Sequence, residues 1–296
     1  MNQLLRPVLR PVLRLALSIA CSAACLPGWA QTPARNPMPD GSRDMYVGLG
    51  AQSGPRYDGT GSRKLRALPV LQVQWSNGIF VSGMSAGMHL SDSPTVEFGP
   101  LLAVLPGRDE RGSGNGIGGV VETTSFVLVN PIEKQLMLRG QRLGGMDEID
   151  MRLQAGAFAN YYLAPDWRLT GSALAGSGRD HDGVRVQLGV QRLAAPITEH
   201  HTLSLAAGLT LVNRKDNDTW FGVTQAEAER SRFTYYRPGG GLQDAHVGAR
   251  WTWAWTPSWM LTSNVQVKRL LGDAANSPLV ERPTNVTVSA AIAYRF

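Results

Sequence analysis

The residues of this chain whose types invite a chemical reading are five histidines, a scatter of hydroxyls and one glycine-rich run. His246 stands two positions from Asp244, so on an extended strand both side chains share a face. An imidazole oriented by a carboxylate is the base of a serine hydrolase if a hydroxyl meets its other nitrogen. Ser204 and Thr252 are candidates for that hydroxyl, and no motif marks either as a nucleophile. His181-Asp182 and His200-His201 are adjacent pairs, which a strand points to opposite faces, so neither converges on a metal by itself. Gly114, Gly116 and Gly119 fit a dinucleotide-binding spacing but lack the strand-to-helix context that binding needs, and read as a loop. No cofactor is expected.

The elements that must carry these residues read as strands. In residues 284–296 every second position is apolar or aromatic, ending at Tyr294 and Phe296, while the intervening positions are small or polar, ending at Arg295. Alternation alone suits a soluble sandwich or a membrane barrel. The distribution of tryptophan favours the barrel. Trp251, Trp253 and Trp255 share one face at one end of a strand whose middle is small, and Trp259 opens the next strand after Pro257, which gives an aromatic girdle rather than a core.

Residues 1–30 are set aside as a signal peptide: Arg6, Arg10 and Arg14 precede an apolar run over 15–26, with small residues before an expected cleavage after Ala30. Removing those three arginines lowers 29 basic residues to 26 against 23 acidic ones, so the precursor charge of +6 becomes +3 and nucleic-acid binding is not expected. Cys21 and Cys25 go with the same segment, leaving no thiol chemistry. Residues 31–43, with Pro33, Pro37 and Pro39, read as a flexible periplasmic lead-in.

Residues 44–296 then read as an all-β fold, a transmembrane antiparallel β-barrel of the bacterial outer membrane. Eleven strands are clear, a single one of them covering 80–90 and another 149–163; an even count requires a twelfth, placed at 120–129, with ten as the alternative. Pro69 and Pro100 sit awkwardly in two of the strands. Short and long connections alternate, as periplasmic turns and extracellular loops do.

Inward positions carry Arg66, Arg152, Arg168, Arg185, Arg250, Lys268 and Arg295 against Glu97, Asp150 and Asp244. Such an excess needs water or loop carboxylates inside the barrel. The loop 214–238 carries Asp216, Asp218, Glu227 and Glu229 and is expected to fold inward as a plug against this wall; an anion-favouring pore is the alternative.

An ordered set of motifs resembles the MltA-interacting protein (MipA/OmpV) family. Pro55-Arg56-Tyr57-Asp58-Gly59 is similar to its first loop, and residues 98–102 followed by Gly107-Arg108-Asp109-Glu110 to its next landmark. The series continues with residues 144–156, Trp220-Phe221-Gly222-Val223 and 240–244, and closes with Gly272-Asp273, Ser277-Pro278 and the terminal Tyr294-Arg295-Phe296. Gly54, where serine is more usual, and the added material around 117–141 depart from the pattern. The resemblance implies an outer-membrane barrel among lipid and lipopolysaccharide, with the terminal aromatic strand, Tyr294 and Phe296, as its assembly signal. It also implies a non-catalytic scaffold joining a murein-cleaving lytic transglycosylase to a murein synthase. A porin-like channel, or an adhesin acting through the loop with Trp220, Phe221, Tyr235 and Tyr236, stays open.

Overall fold

The computed structural model describes residues 43–296 apart from 92, 94, 111 and 113–141. Strands β1 (Arg43–Pro55), β2 (Arg63–Gln74), β3 (Ile79–Ser82), β4 (Ser85–Met88), β5 (Val96–Leu105) and β6 (Arg152–Ala164) form one half of the wall. The other half is β7 (Trp167–Ser177), β8 (Gly183–Thr198), β9 (His201–Val212), β10 (Gly241–Ala254), β11 (Trp259–Leu270) and β12 (Thr284–Arg295). Each strand pairs antiparallel with its sequence neighbours, and β12 pairs with β1 to close a twelve-stranded barrel. Closure leaves no sheet edge at the joint, as lipid demands of a spanning backbone.

The count of twelve is reached by a different route from the one expected. The region read as one strand over 80–90 is a hairpin of two four-residue strands, β3 and β4. The expected strand at 120–129 lies outside the described residues, and β5 pairs directly with β6. The strand expected over 149–163 is present as β6 but begins only at Arg152. Asp150 is therefore exposed in a connection and is no part of the inner wall, and Ile149 is buried away from lipid, bridged to Arg108.

The two awkward prolines fit because the hairpin is short. Leu71 turns its carbonyl away from β1, accepting from Gly83 N–H at 2.9 Å, so Pro69, of the same parity, aims its nitrogen to the side where β3 has already ended. Pro100 shares parity with Phe98 and Val104, whose backbones bond to Leu90 and Met84 of the hairpin region. Its missing N–H faces Met88, and the β4–β5 ladder stops one pair earlier, at Gly87 and Leu101.

Outward positions are apolar and exposed, with Leu49 at 66% and Leu65 at 73%. An exposed apolar band around a closed barrel is the surface that lipid covers. Both termini of the barrel and the turns at 165–166, 199–200 and 255–258 lie at one end, the periplasmic end by their shortness. Longer connections at 106–151, 213–240 and 271–283 leave from the other end. The one at 213–240 carries helices α1 (Arg214–Phe221) and α2 (Gln225–Arg230), and that at 271–283 carries α3 (Gly272–Ala275).

Candidate functional site

Apart from Leu270 at the top of β11, the buried hydrophobic clusters of the described residues lie outside the barrel wall, in the extracellular connections. Tyr57, Leu143, Met146, Val223, Phe233 and Leu279 pack together from four different connections, and Phe221, Leu270 and Ala274 form a second cluster beside them. Burying side chains such as Leu143, Val223 and Leu279 contributes about 1.5–3 kcal/mol each. Loops that would otherwise be independent are thus tied into one cap.

The motif residues scattered through the sequence are the parts of this cap. Tyr57 donates its hydroxyl to the Leu279 carbonyl at 3.2 Å. Gly59, at φ +92, takes a left-handed conformation that suits glycine, and its carbonyl accepts from Glu281 N and Arg282 N at 2.7 and 2.9 Å. Gly107 lies so near the backbone of Ile149 that a side chain there would collide with it. Arg108 is buried, and its Nη1 donates to the Trp220 carbonyl at 2.6 Å. Burial pulls its pKa down to about 10, so it stays charged at neutral pH. Gly272 (φ +53) opens α3, and Asp273 accepts from Gly239 N–H at 2.7 Å. Ser277 donates to the Phe221 carbonyl at 2.6 Å; Pro278, half-buried, follows it. Pro55 is buried at the top of β1.

Helix α1 fixes the cap to the lumen. Asn213 caps it by accepting from Asp216 N–H, while its amide donates to the Asp182 carbonyl at 2.9 Å. This places Asp216, fully buried, 3.0 Å from Arg185 of the β8 inner wall, with Gln243 of β10 donating to the same carboxylate oxygen at 3.4 Å. Asp218 and Glu229 make no ion pair with the wall among the described residues.

Above it, α2 begins with a full capping box between Thr224 and Glu227. Glu227 also accepts from Asp147 N–H and from Arg179, both at 3.0 Å. Burial pushes the Glu227 carboxyl up, but the Thr224 and Asp147 hydrogen bonds outweigh it and hold the group below its ordinary range. The Arg230 hydrogen bond, at 2.7 Å, does the same for Asp147. The sequence offers no local signal for Arg142, Asp147 or Arg179, because their partners lie tens of residues away.

Below the cap, the inner wall carries the remaining expected charges. Lys268 bonds both oxygens of Asp58 at 3.0 and 3.1 Å. It lines a cavity of about 40 Å³ with Arg66, whose Nη2 donates to the Arg56 carbonyl. Arg168 donates to Gln191 at 2.9 Å and to Tyr162, Glu97 accepts from Asn160, and Arg152 donates to the Arg179 carbonyl. Arg250 points inward yet is exposed, so its surroundings inside the barrel are wet. Arg295 lies over the Tyr46 ring at the periplasmic end.

The hydrolase arrangement is half present. His246 Nδ1 is 2.9 Å from Asp244. Its ring lies against Gly208 on β9, whereas Ser204 pairs with Arg250, four positions further along and so about 13 Å away. Thr252 is further still, opposite Thr202. Among the described residues no cluster of three metal-ligating side chains occurs.

At the periplasmic end Trp251, Trp253 and Trp255 follow one another in contact, and Trp259 packs on Tyr294, which stacks on Phe296. His201 stacks between Trp251 and Trp253, a member of the girdle that its sequence pairing with His200 does not reveal.

Compared with known proteins, residues 47–296 match the family model described as MltA-interacting protein MipA. Outer membrane protein Omp26La of Vibrio anguillarum is 31% identical over 90 residues, which cover 30% of this chain and 34% of that relative's length. Among solved structures, a bacterial polysaccharide outer membrane secretin aligns over 85% of this chain and 98% of its own, at 10% identity and TM-score 0.46. A KdgM porin aligns over 85% and 99%, at 8% identity and TM-score 0.42.

Proposed function

Since the chain belongs to the MltA-interacting protein MipA family, we propose that this outer-membrane barrel is a non-catalytic scaffold. In this reading the barrel anchors, and its periplasmic edge and lead-in hold a murein-cleaving lytic transglycosylase beside a murein synthase. Export by cleavage after Ala30 belongs to the same proposal. The observation that carries it is the docking of α1 on the inner wall through Asp216 and Arg185, which favours an anchor with a closed extracellular mouth over a standing diffusion pore. The wet, arginine-bearing lumen around Arg250 favours a second reading, an anion-selective channel opened when the cap moves.

Two measurements separate these readings. In planar bilayers the unaltered protein is expected to conduct little, and large stable conductance from it would favour the pore. Replacing residues 214–236 by a short glycine-serine loop is expected to leave a scaffold's partners in place. Affinity capture from solubilised envelope should then recover a lytic transglycosylase and a murein synthase with both forms; capture of neither enzyme overturns the scaffold.

A further inference from the structure

Charged side chains on the lipid face of a barrel are costly at mid-membrane and tolerated near the interfaces. Among the described residues, two stand on that face at the extracellular end. Arg63 opens β2 with the same outward parity as Leu65, and Arg269 stands near the top of β11 with the parity of Val265 and Val267. On the strands away from the seam, outward positions at this height include Leu153, Val184, Leu211 and Leu242, all exposed.

The two arginines are rooted on strands that flank the closing seam of the barrel, Arg63 on β2 and Arg269 on β11. The Arg63 side chain lies over β1, donating from Nε to Ser53 Oγ at 3.3 Å and from Nη2 to the Ser53 carbonyl at 3.0 Å. Its Nη1 reaches β12, where it donates to the Val286 carbonyl at 3.0 Å and keeps a second N–H free of that bond. Val286 pairs with Val267, and Thr284 with Arg269, so Arg269 is rooted on the adjoining strand about 7 Å nearer the rim. Exposed Arg282 stands just above.

The carboxylates of this region are engaged elsewhere: Glu281 with Arg142, Thr60 and Gly61, and Asp58 with Lys268 inside the barrel. Neither Arg63 nor Arg269 has a carboxylate partner among the described residues. Below them the outer surface of the same strands is apolar, through Leu49, Val265, Val288 and Ile292.

We propose that the outward face of β11, β12, β1 and β2 binds one phosphorylated lipid A of the outer leaflet, its phosphates on Arg63 and Arg269 and its acyl chains on the apolar strip beneath. A guanidinium is suited to phosphate by its planar fork of donors. Arg63 is pre-oriented by Ser53 and Val286, so little side-chain entropy is lost on binding. Bound across the joint of first and last strands, the lipid braces the closure of the barrel.

The test uses the full mature protein refolded in detergent free of lipopolysaccharide, with native mass spectrometry and thermal unfolding as readouts. Purified lipid A bearing both phosphates should bind the unaltered protein and raise its unfolding temperature. Arg63→Gln with Arg269→Gln should weaken binding about tenfold or more, as expected for loss of charge-assisted contacts. Lipid A stripped of phosphate should bind the unaltered protein as weakly. Arg269→Gln alone, which removes no internal hydrogen bond among the described residues, guards against a folding defect in the double variant and should lose affinity while forming a normal heat-modifiable barrel. Equal binding by these variants, equal binding of the dephosphorylated lipid, or saturation by inorganic phosphate alone would overturn the site.

Discussion

Arg185 on the inner wall and Asp216 on the first cap helix meet at 3.0 Å with both side chains withdrawn from water. Removing one member of a buried pair leaves an uncompensated charge, at a cost of about 3–5 kcal/mol, whereas replacing both by apolar groups is far milder. Asp216→Asn is therefore expected to release α1 from the wall. Limited proteolysis within 213–240 should become fast in that variant, and Arg185→Leu with Asp216→Leu should restore most of the protection. Equal resistance in all three proteins would show that the pair does not hold the cap.

Tyr57 joins two of the cap's devices, the apolar cluster and the hydrogen bond to the Leu279 carbonyl. Tyr57→Phe keeps the ring and is expected to cost about 0.5–1.5 kcal/mol. Tyr57→Ala removes the ring as well, with a cost of about 3–5 kcal/mol. Hydrogen exchange of the amides of Val223 and Tyr236, which bond each other's carbonyls in the same cap, should rise slightly in the first variant and strongly in the second. The barrel's heat-modifiable migration should stay unchanged in both.

What was legible in the sequence follows from the range of the interactions. The wall is set by a two-residue alternation, so β7, β9, β10 and β12 are readable from their own residues. The β3–β4 hairpin was hidden because four-residue strands joined by Gly83-Met84 keep the alternation of one long strand. Asp150 misled for a related reason: its alternation with Ile149 and Met151 continues that of β6, but Ile149 is captured by Arg108 and the cap before the strand begins. Convergence of Tyr57, Arg108, Ser277 and Phe221 depends on contacts across most of the chain, and no local period encodes it.

The girdle and the cap place tryptophans in opposite surroundings. Trp253, Trp255 and Trp259 are exposed on the outer face, whereas Trp220 packs against the cluster of Phe221, Leu270 and Ala274. In vesicles containing brominated lipid, total tryptophan emission should be strongly quenched. Trp253→Phe with Trp255→Phe should remove part of the quenchable signal; Trp220→Phe should remove emission that bromine does not reach. Quenching that is lost with Trp220 instead would invert this assignment.

Acid should loosen the cap without opening the barrel. The Arg230 hydrogen bond holds the Asp147 carboxyl below its ordinary range, and at Glu227 the hydrogen bonds from Thr224 and Asp147 overcome burial to the same end. A carboxyl with a depressed folded-state pKa contributes stability that is present above its unfolded value, about 4, and is lost as pH falls through the folded value. The cap is therefore expected to be indifferent between about pH 5 and 8 and to loosen below about 4. Spin labels on cysteines introduced at the exposed Glu229 and Arg282 report this directly. Their distance distribution should be narrow at neutral pH and broaden in acid, while circular dichroism of the strands stays constant. Asp147→Asn with Glu227→Gln should show the broad distribution already at pH 7. Broadening that began near pH 6, or a double variant as narrow as the unaltered protein, would mean that these two carboxylates do not set the cap's acid response.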